Sequence, residues 1–181
     1  MARVKTIESR ADVSKGGEAV WDAIAESRGR VVGPFKVLLH SPELARRAAH
    51  TGAYVRFEGS LPQDVRELAI LTVGREMDCL FEWAAHAPLA RKAGVREEAI
   101  AAIRDRRFTA LNDAERGIVE YVSQLLTRKR VDEPTFRALE QRFGVQGVVE
   151  LTGTVGHYVF IACTLNAFEV TPEASMEQLP V

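Results

Sequence analysis

The chain has 181 residues, 46% of them apolar and 27% charged, with 24 basic side chains against 25 acidic ones. That size and balance suit one ordinary globular domain and argue against a disordered chain. A net charge of −1 gives no pull toward nucleic acid or an anionic membrane surface, so neither is expected as a partner.

Strand patterning is nearly absent, and the chain reads as helix after helix. The first helix is expected near Gly17 to Ser27, with Ala19, Val20, Ala23 and Ile24 as its apolar stripe. Phe35 to Leu39 is a short apolar segment. Ser41-Pro42-Glu43 starts a helix: a capping hydroxyl, proline in the first turn, then an acid at the positive end. That helix carries Leu44, Ala45 and Ala48 and should stop before Gly52. Leu61-Pro62-Gln63-Asp64 opens the next, with a bend or break expected around Gly74 to Asp78. Another helix is expected from about Cys79 to Ala93, with Gly94 as its stop and Pro88 as a kink. Arg96 to Ile103 is a short helix. Asn112-Asp113-Ala114-Glu115 has the form of a capping box and starts a helix through Leu126. Asp132 caps Glu133 to Phe143, Gly144 ends that segment, and a long apolar helix follows from about Val148 to Phe168. The tail after Thr171-Pro172 is polar and expected to be loose. The fold class is therefore all-α, one domain over 1–181 with its core in 33–170. The last helix is apolar nearly all round, which makes it central or an oligomer interface, and Gly153 and Gly156 would admit a close neighbour.

No apolar run approaches the length of a membrane span, and the start of the chain lacks the apolar core of a secretory signal. A cytoplasmic location is expected. Cys79 and Cys163 are too few for a disulfide framework, and a reducing compartment would keep both as thiols.

The richest chemistry lies between Glu67 and His86. Cys79, Glu82 and His86 follow one another at offsets of three and four residues, which in a continuous helix puts all three on one face. A thiol, a carboxylate and an imidazole grouped in this way can move protons. No His-x-x-x-His pair, Cys/His cluster, Gly-x-Gly-x-x-Gly or phosphate loop occurs, so no metal and no nucleotide cofactor is expected.

At these residues the sequence resembles the carboxymuconolactone decarboxylase family, whose superfamily includes the alkyl hydroperoxidase D (AhpD) group. The core of the likeness runs from Arg66-Glu67-Leu-Ala-Ile-Leu through Cys79-Leu-Phe-Glu-Trp-Ala-Ala-His86 to Ala93-Gly94-Val95. Weaker likeness extends over Gly33-Pro34-Phe35 to Pro42 and over Glu150 to Phe168. The resemblance implies an AhpD-like helical fold and assembly through helix faces into dimers, trimers or hexamers. It implies two chemistries. The AhpD group uses a Cys-x-x-Cys pair, a following histidine and an upstream glutamate; Glu67, Cys79 and His86 fill three of those places, and Glu82 stands where the second cysteine would be. The decarboxylases instead resemble Glu-x-x-x-His here, which Glu82 and His86 match. The chain is a hybrid of the two patterns.

Each candidate has a plain reading beside the functional one. Cys79 is either a small buried hydrophobe or, with Glu67 and His86 as relay, a peroxide-attacking thiol, although Glu67, Glu82 and Asp78 nearby would raise its pKa. Cys163 is expected in the core, or else as the thiol that resets Cys79. Glu82 and His86 are a helix-surface pair or a buried proton donor and acceptor. Glu67 braces the helix pair or relays protons. Trp83, His157 and Tyr158 are core residues or line a substrate pocket, and His40 is a further candidate lining residue. Arg75 or Arg56 is the candidate holder of a substrate carboxylate. The leading expectation is cofactor-free decarboxylation of a small carboxylated lactone or related ring-cleavage acid. Thiol peroxidase activity and non-catalytic binding of a small acid are the alternatives.

Overall fold

A computed structural model describes residues 2–180 of the chain. Among them are eight α-helices, joined by short turns, and no strand. α1 (Glu18–Arg28) closes on Gly29, whose φ of 75° suits glycine. α2 (Phe35–Leu38) is the short apolar segment. α3 (Pro42–Ala53) starts at Pro42 as expected, but the Ser41 side chain makes no capping bond. The helix also runs through Gly52 into a π-turn at Tyr54–Glu58. α4 (Gln63–Glu76) and α5 (Leu80–Lys92) form a hairpin, with α5 passing unbroken through Pro88. α6 (Glu97–Arg104) follows. α7 (Asp113–Thr127) opens on the expected box: the Glu115 N–H donates to Asn112 Oδ1 at 2.9 Å, and the Asn112 N–H to Glu115 Oε2 at 3.0 Å. α8 (Glu133–Ala167) is two helices in line, broken at Gly144 with φ 69° and ψ 174°.

The hub is α4, which packs against α5, α7 and α8. Leu68, Ala69, Ile70, Leu71 and Val73 are all buried, as an all-round apolar helix requires. One apolar core joins α4 to α8, with Trp83, Ile100, Val119 and Leu151 among its members. A second lies where α1 to α3 meet the end of α8, around Ile24, Leu39, Ile161 and Leu165. The buried set reaches Ile7 and Leu179, outside 33–170. The tail is therefore docked rather than loose: Leu179 sits in the first core, and Glu177 pairs with Arg91 at 2.6 Å. By length and composition α8 could cross a membrane, with a mean hydropathy of 1.4, although no such run was expected. Half of that stretch is buried within the chain, which is also how the central helix of a packed bundle looks.

Two local devices position the site. The corner between α4 and α5 holds Asp78 at φ 45°, a conformation that costs a non-glycine residue about 1 kcal/mol. Its carboxylate is held by Arg75 at 2.8 Å and Arg106 at 3.2 Å, and the Asn166 amide donates to the Met77 carbonyl at 2.8 Å. The second device is Glu150 on α8, which grips the π-turn. It accepts from the Tyr54 hydroxyl at 2.9 Å, from the Ser60 N–H and hydroxyl at 2.7 Å each, and from Gln146 at 2.9 Å. Burial pushes its pKa up, but these four donors outweigh burial and hold it at about 2. Glu150→Ala strands these donors and should cost about 2 kcal/mol of stability. Urea unfolding measures it, and an unchanged midpoint would show the grip to be idle.

Candidate active site

A cavity of about 760 Å³ opens among α1, α2, α5 and α8, a volume ordinary for a small-molecule site. Phe81, Leu89 and Ile161 form apolar wall, and Glu82, His86 and Tyr158 stand together in it. Residues from both ends of the chain, including Thr6 and Met176, complete the rim. A smaller hollow of about 240 Å³ elsewhere is lined by groups such as Arg96 and Glu115, which already pair at 2.6 Å.

His86 is clamped between two carboxylates. Its Nδ1 lies 2.8 Å from Glu67 Oε2, and its Nε2 lies 3.4 Å from Glu82 Oε2. The three residues are 6%, 4% and 5% exposed in the order Glu67, Glu82, His86. The short bond fixes the tautomer, with the Nδ1–H donating to Glu67, so Nε2 faces Glu82. Glu82 Oε2 is buried without any hydrogen-bond partner. Burial raises the pKa of Glu82; the Glu67 charge raises it further, while His86 and Arg56 oppose the rise. Glu82 Oε2 and His86 Nε2 thus face each other at the cavity wall with no hydrogen bond between them. Glu67, behind the ring and off the cavity, is the residue that orients it.

Cys79 does not join them. It is 0% exposed and sits in the second core, not on the cavity. The expected shared face fails because the chain turns at Asp78 and Cys79 is the cap of α5, at φ −89° and ψ 97°, outside helical geometry. Burial pushes its thiol up to about 12, although the Phe81 and Glu82 backbone N–H groups favour the thiolate. Asp78, expected near the thiol, is turned to Arg75 and Arg106. Cys163, expected in the core, is exposed.

Of the candidate lining residues, His157 and Tyr158 do line the cavity. Tyr158 stands edge-on to both imidazoles, 5.1 Å from His86 and 5.4 Å from His157 between ring centroids. Burial raises its phenol pKa. Trp83 is 0% exposed, with its indole N–H unpartnered, and is core. His40 is exposed, its Nε2 within 2.7 Å of the Lys5 carbonyl, and lies off the cavity. Arg56 lines the cavity, whereas Arg75 does not and pairs with Asp78. Sequence reasoning missed Arg28, Arg30 and Lys36, which also line it. Their only sequence signal was positive charge close to the Gly33-Pro34-Phe35 segment. Among the described residues no three His, Cys, Asp or Glu side chains group as metal ligands.

A model of the carboxymuconolactone decarboxylase family matches residues 42–124. No curated protein sequence matches the chain. The fold is similar to that of a peroxidase-related protein of Silicibacter sp. TM1040, with TM-score 0.76 and 16% identity over 99% of this chain and 100% of that one. It is similar to an AhpD-core, peroxidase-related protein of Ralstonia eutropha JMP134, with TM-score 0.78 and 15% identity over 96% and 93%. A third likeness is to a cysteine-to-alanine variant of the debrominase Bmp8 bound to 2,3,4-tribromopyrrole, with TM-score 0.75 and 15% identity over 96% and 95%.

Burial lowers the pKa of His157 to about 4 from an ordinary 6.5, and Arg28 and Arg56 add to the fall. The unfolded chain takes up this proton near 6.5, and the folded chain resists it down to about 4. This residue's share of stability is therefore whole above pH 6.5 and fades toward pH 4. Melting temperature against pH for wild type and His157→Asn should diverge across that window, with the variant falling less on acidification. Parallel curves would place His157 in ordinary solvent.

Proposed function

We propose, from the premise that this chain belongs to the carboxymuconolactone decarboxylase family, that it is an acid–base enzyme working on a small carboxylated lactone or related ring-cleavage acid. The observation that carries the proposal is what meets the cavity: Glu82 and His86 line it and Cys79 does not. Decarboxylation needs little else. The bond to the carboxylate breaks, carbon dioxide leaves, and the electron pair stays on carbon as an enolate shared with a neighbouring unsaturated carbonyl. A proton from the Glu82–His86 pair passes to that carbon, and the pair takes a replacement from solvent. Glu67 keeps the ring in the tautomer that aims Nε2 at Glu82. The apolar wall of Phe81, Leu89 and Ile161 keeps the dielectric low around the reacting atoms. No added metal or organic cofactor enters this scheme, and the cytoplasm is the setting it assumes.

The thiol-peroxidase alternative draws on the fold shared with peroxidase-related proteins. Against it stand a sealed thiol with a pKa near 12 and a glutamate where a second cysteine would close a disulfide. Carbon dioxide release from carboxylated lactones and consumption of a hydroperoxide, assayed side by side, separate the two. Cys79→Ser should keep lactone turnover, and His86→Gln should lower it by about 100-fold or more. Loss of all activity in Cys79→Ser would favour the thiol reading.

We also propose that copies of the chain associate through the outer face of α8. Val145 and Val149 there are 65% and 64% exposed, and no atom comes within 4 Å of a Cβ placed on Gly153 or Gly156. Sedimentation should return a mass that is a multiple of 20.0 kDa, reduced by Gly153→Glu. A wild-type monomer at all concentrations would remove this part of the proposal.

A further inference from the structure

The cavity wall carries cations as well as the Glu82–His86 pair. Arg28 and Arg56 both line it, half-buried, and Arg56 lies near enough to Glu82 to oppose the rise in its pKa. Neither is paired with a carboxylate among the described residues. Arg28 donates to the Ser27 hydroxyl at 2.9 Å and the Ala49 carbonyl at 3.1 Å, and its guanidinium lies 4.7 Å from the Phe35 ring centroid. Arg56 lies over Phe57 at 5.0 Å. Of the other two cations lining the cavity, Arg30 is exposed to solvent and Lys36 on α2 is already neutralised by Glu8 on the rim.

Gly52 on α3 makes this cluster possible. A Cβ there would lie 2.9 Å from His157 Nε2 and 3.0 Å from Arg28 Nη2, so the imidazole and the guanidinium converge over a residue that has no side chain. Two partly desolvated cations and an uncharged imidazole beside them form a region of unbalanced positive potential, which a fully paired surface would not keep. The low proton affinity of His157 and the lowered pKa of Arg28 are consequences of that same burial and mutual repulsion.

We propose that Arg28 and Arg56, with His157 beside them, form a carboxylate anchor on the cavity wall, setting which small organic acids bind and which way round they lie. The guanidinium fork matches a carboxylate in a way a lysine does not. The anchored group is the one the ligand keeps, because ion pairing stabilises a carboxylate as it stands and works against its loss. The rest of the ligand, which carries the carboxylate to be lost, then lies toward the Glu82–His86 pair. That orientation rests on the acid–base reading; the anion binding does not.

The test uses the full-length protein and an unreactive pair of probes, benzoate and the near-isosteric neutral benzamide, by calorimetry at two salt concentrations. Benzoate should bind wild type and bind more weakly at high salt, and benzamide should not bind. Arg28→Gln and Arg56→Gln should each weaken benzoate by about tenfold or more, with Cys79→Ser unchanged. Arg28→Lys gives a second reading, retaining charge but losing the fork, and should fall between wild type and Arg28→Gln. Failure of wild type to bind benzoate, equal binding of benzamide, or full-strength benzoate binding in folded Arg28→Gln and Arg56→Gln would each overturn the anchor. The acid–base reading fails separately, through turnover that survives His86→Gln.

Discussion

An imidazole held between two buried carboxylates is the interaction on which the site depends. Glu67 comes from α4 and Glu82 from α5, so His86 ties the hairpin together while facing the cavity. Three ionisable groups so nearly excluded from water are costly unless they share protons and hydrogen bonds. The 2.8 Å bond to Glu67 satisfies one side of the ring. The longer 3.4 Å approach and unpartnered oxygen of Glu82 leave the other side incomplete, at the surface a ligand would touch. A fold that wanted only stability would have filled this place with apolar side chains.

The surroundings serve that geometry. The left-handed turn at Asp78 stops α4, starts α5 in a new direction and buries Cys79 at the cap. Glu150 fixes the π-turn that carries Arg56, and Gly52 leaves room for Arg28 and His157. Both chain ends fold over the rim, so segments distant in sequence close one cavity. The result puts an acid–base pair and two arginines on the wall of one cavity, with the Tyr158 ring edge-on to both His86 and His157.

Much of the fold is legible in the sequence because its signals are local. The Asn112–Glu115 box, Pro42, Gly29, Gly94 and Gly144 mark helix ends through backbone geometry that few other residues supply. The Glu82–His86 pair is legible for the same reason, being one helical turn apart. Cys79 is misplaced by that rule, since helical spacing holds only inside a helix and the cap lies outside it. Trp83 and His40 carry no local mark of burial or exposure, and only packing assigns them. Arg28, far from the motif in sequence, reaches the cavity through the packing of α1 beside α3, which no spacing rule reports.

The most direct measurement is the chemical state of Cys79 when native protein meets a stoichiometric hydroperoxide, read by mass spectrometry of the peptide that contains it. A site built on the carboxyl–imidazole pair with the thiol sealed away predicts that Cys79 remains a free thiol in the folded protein and reacts only once the chain is unfolded. Rapid conversion of Cys79 to a sulfenic acid or a mixed disulfide in the folded protein would contradict it.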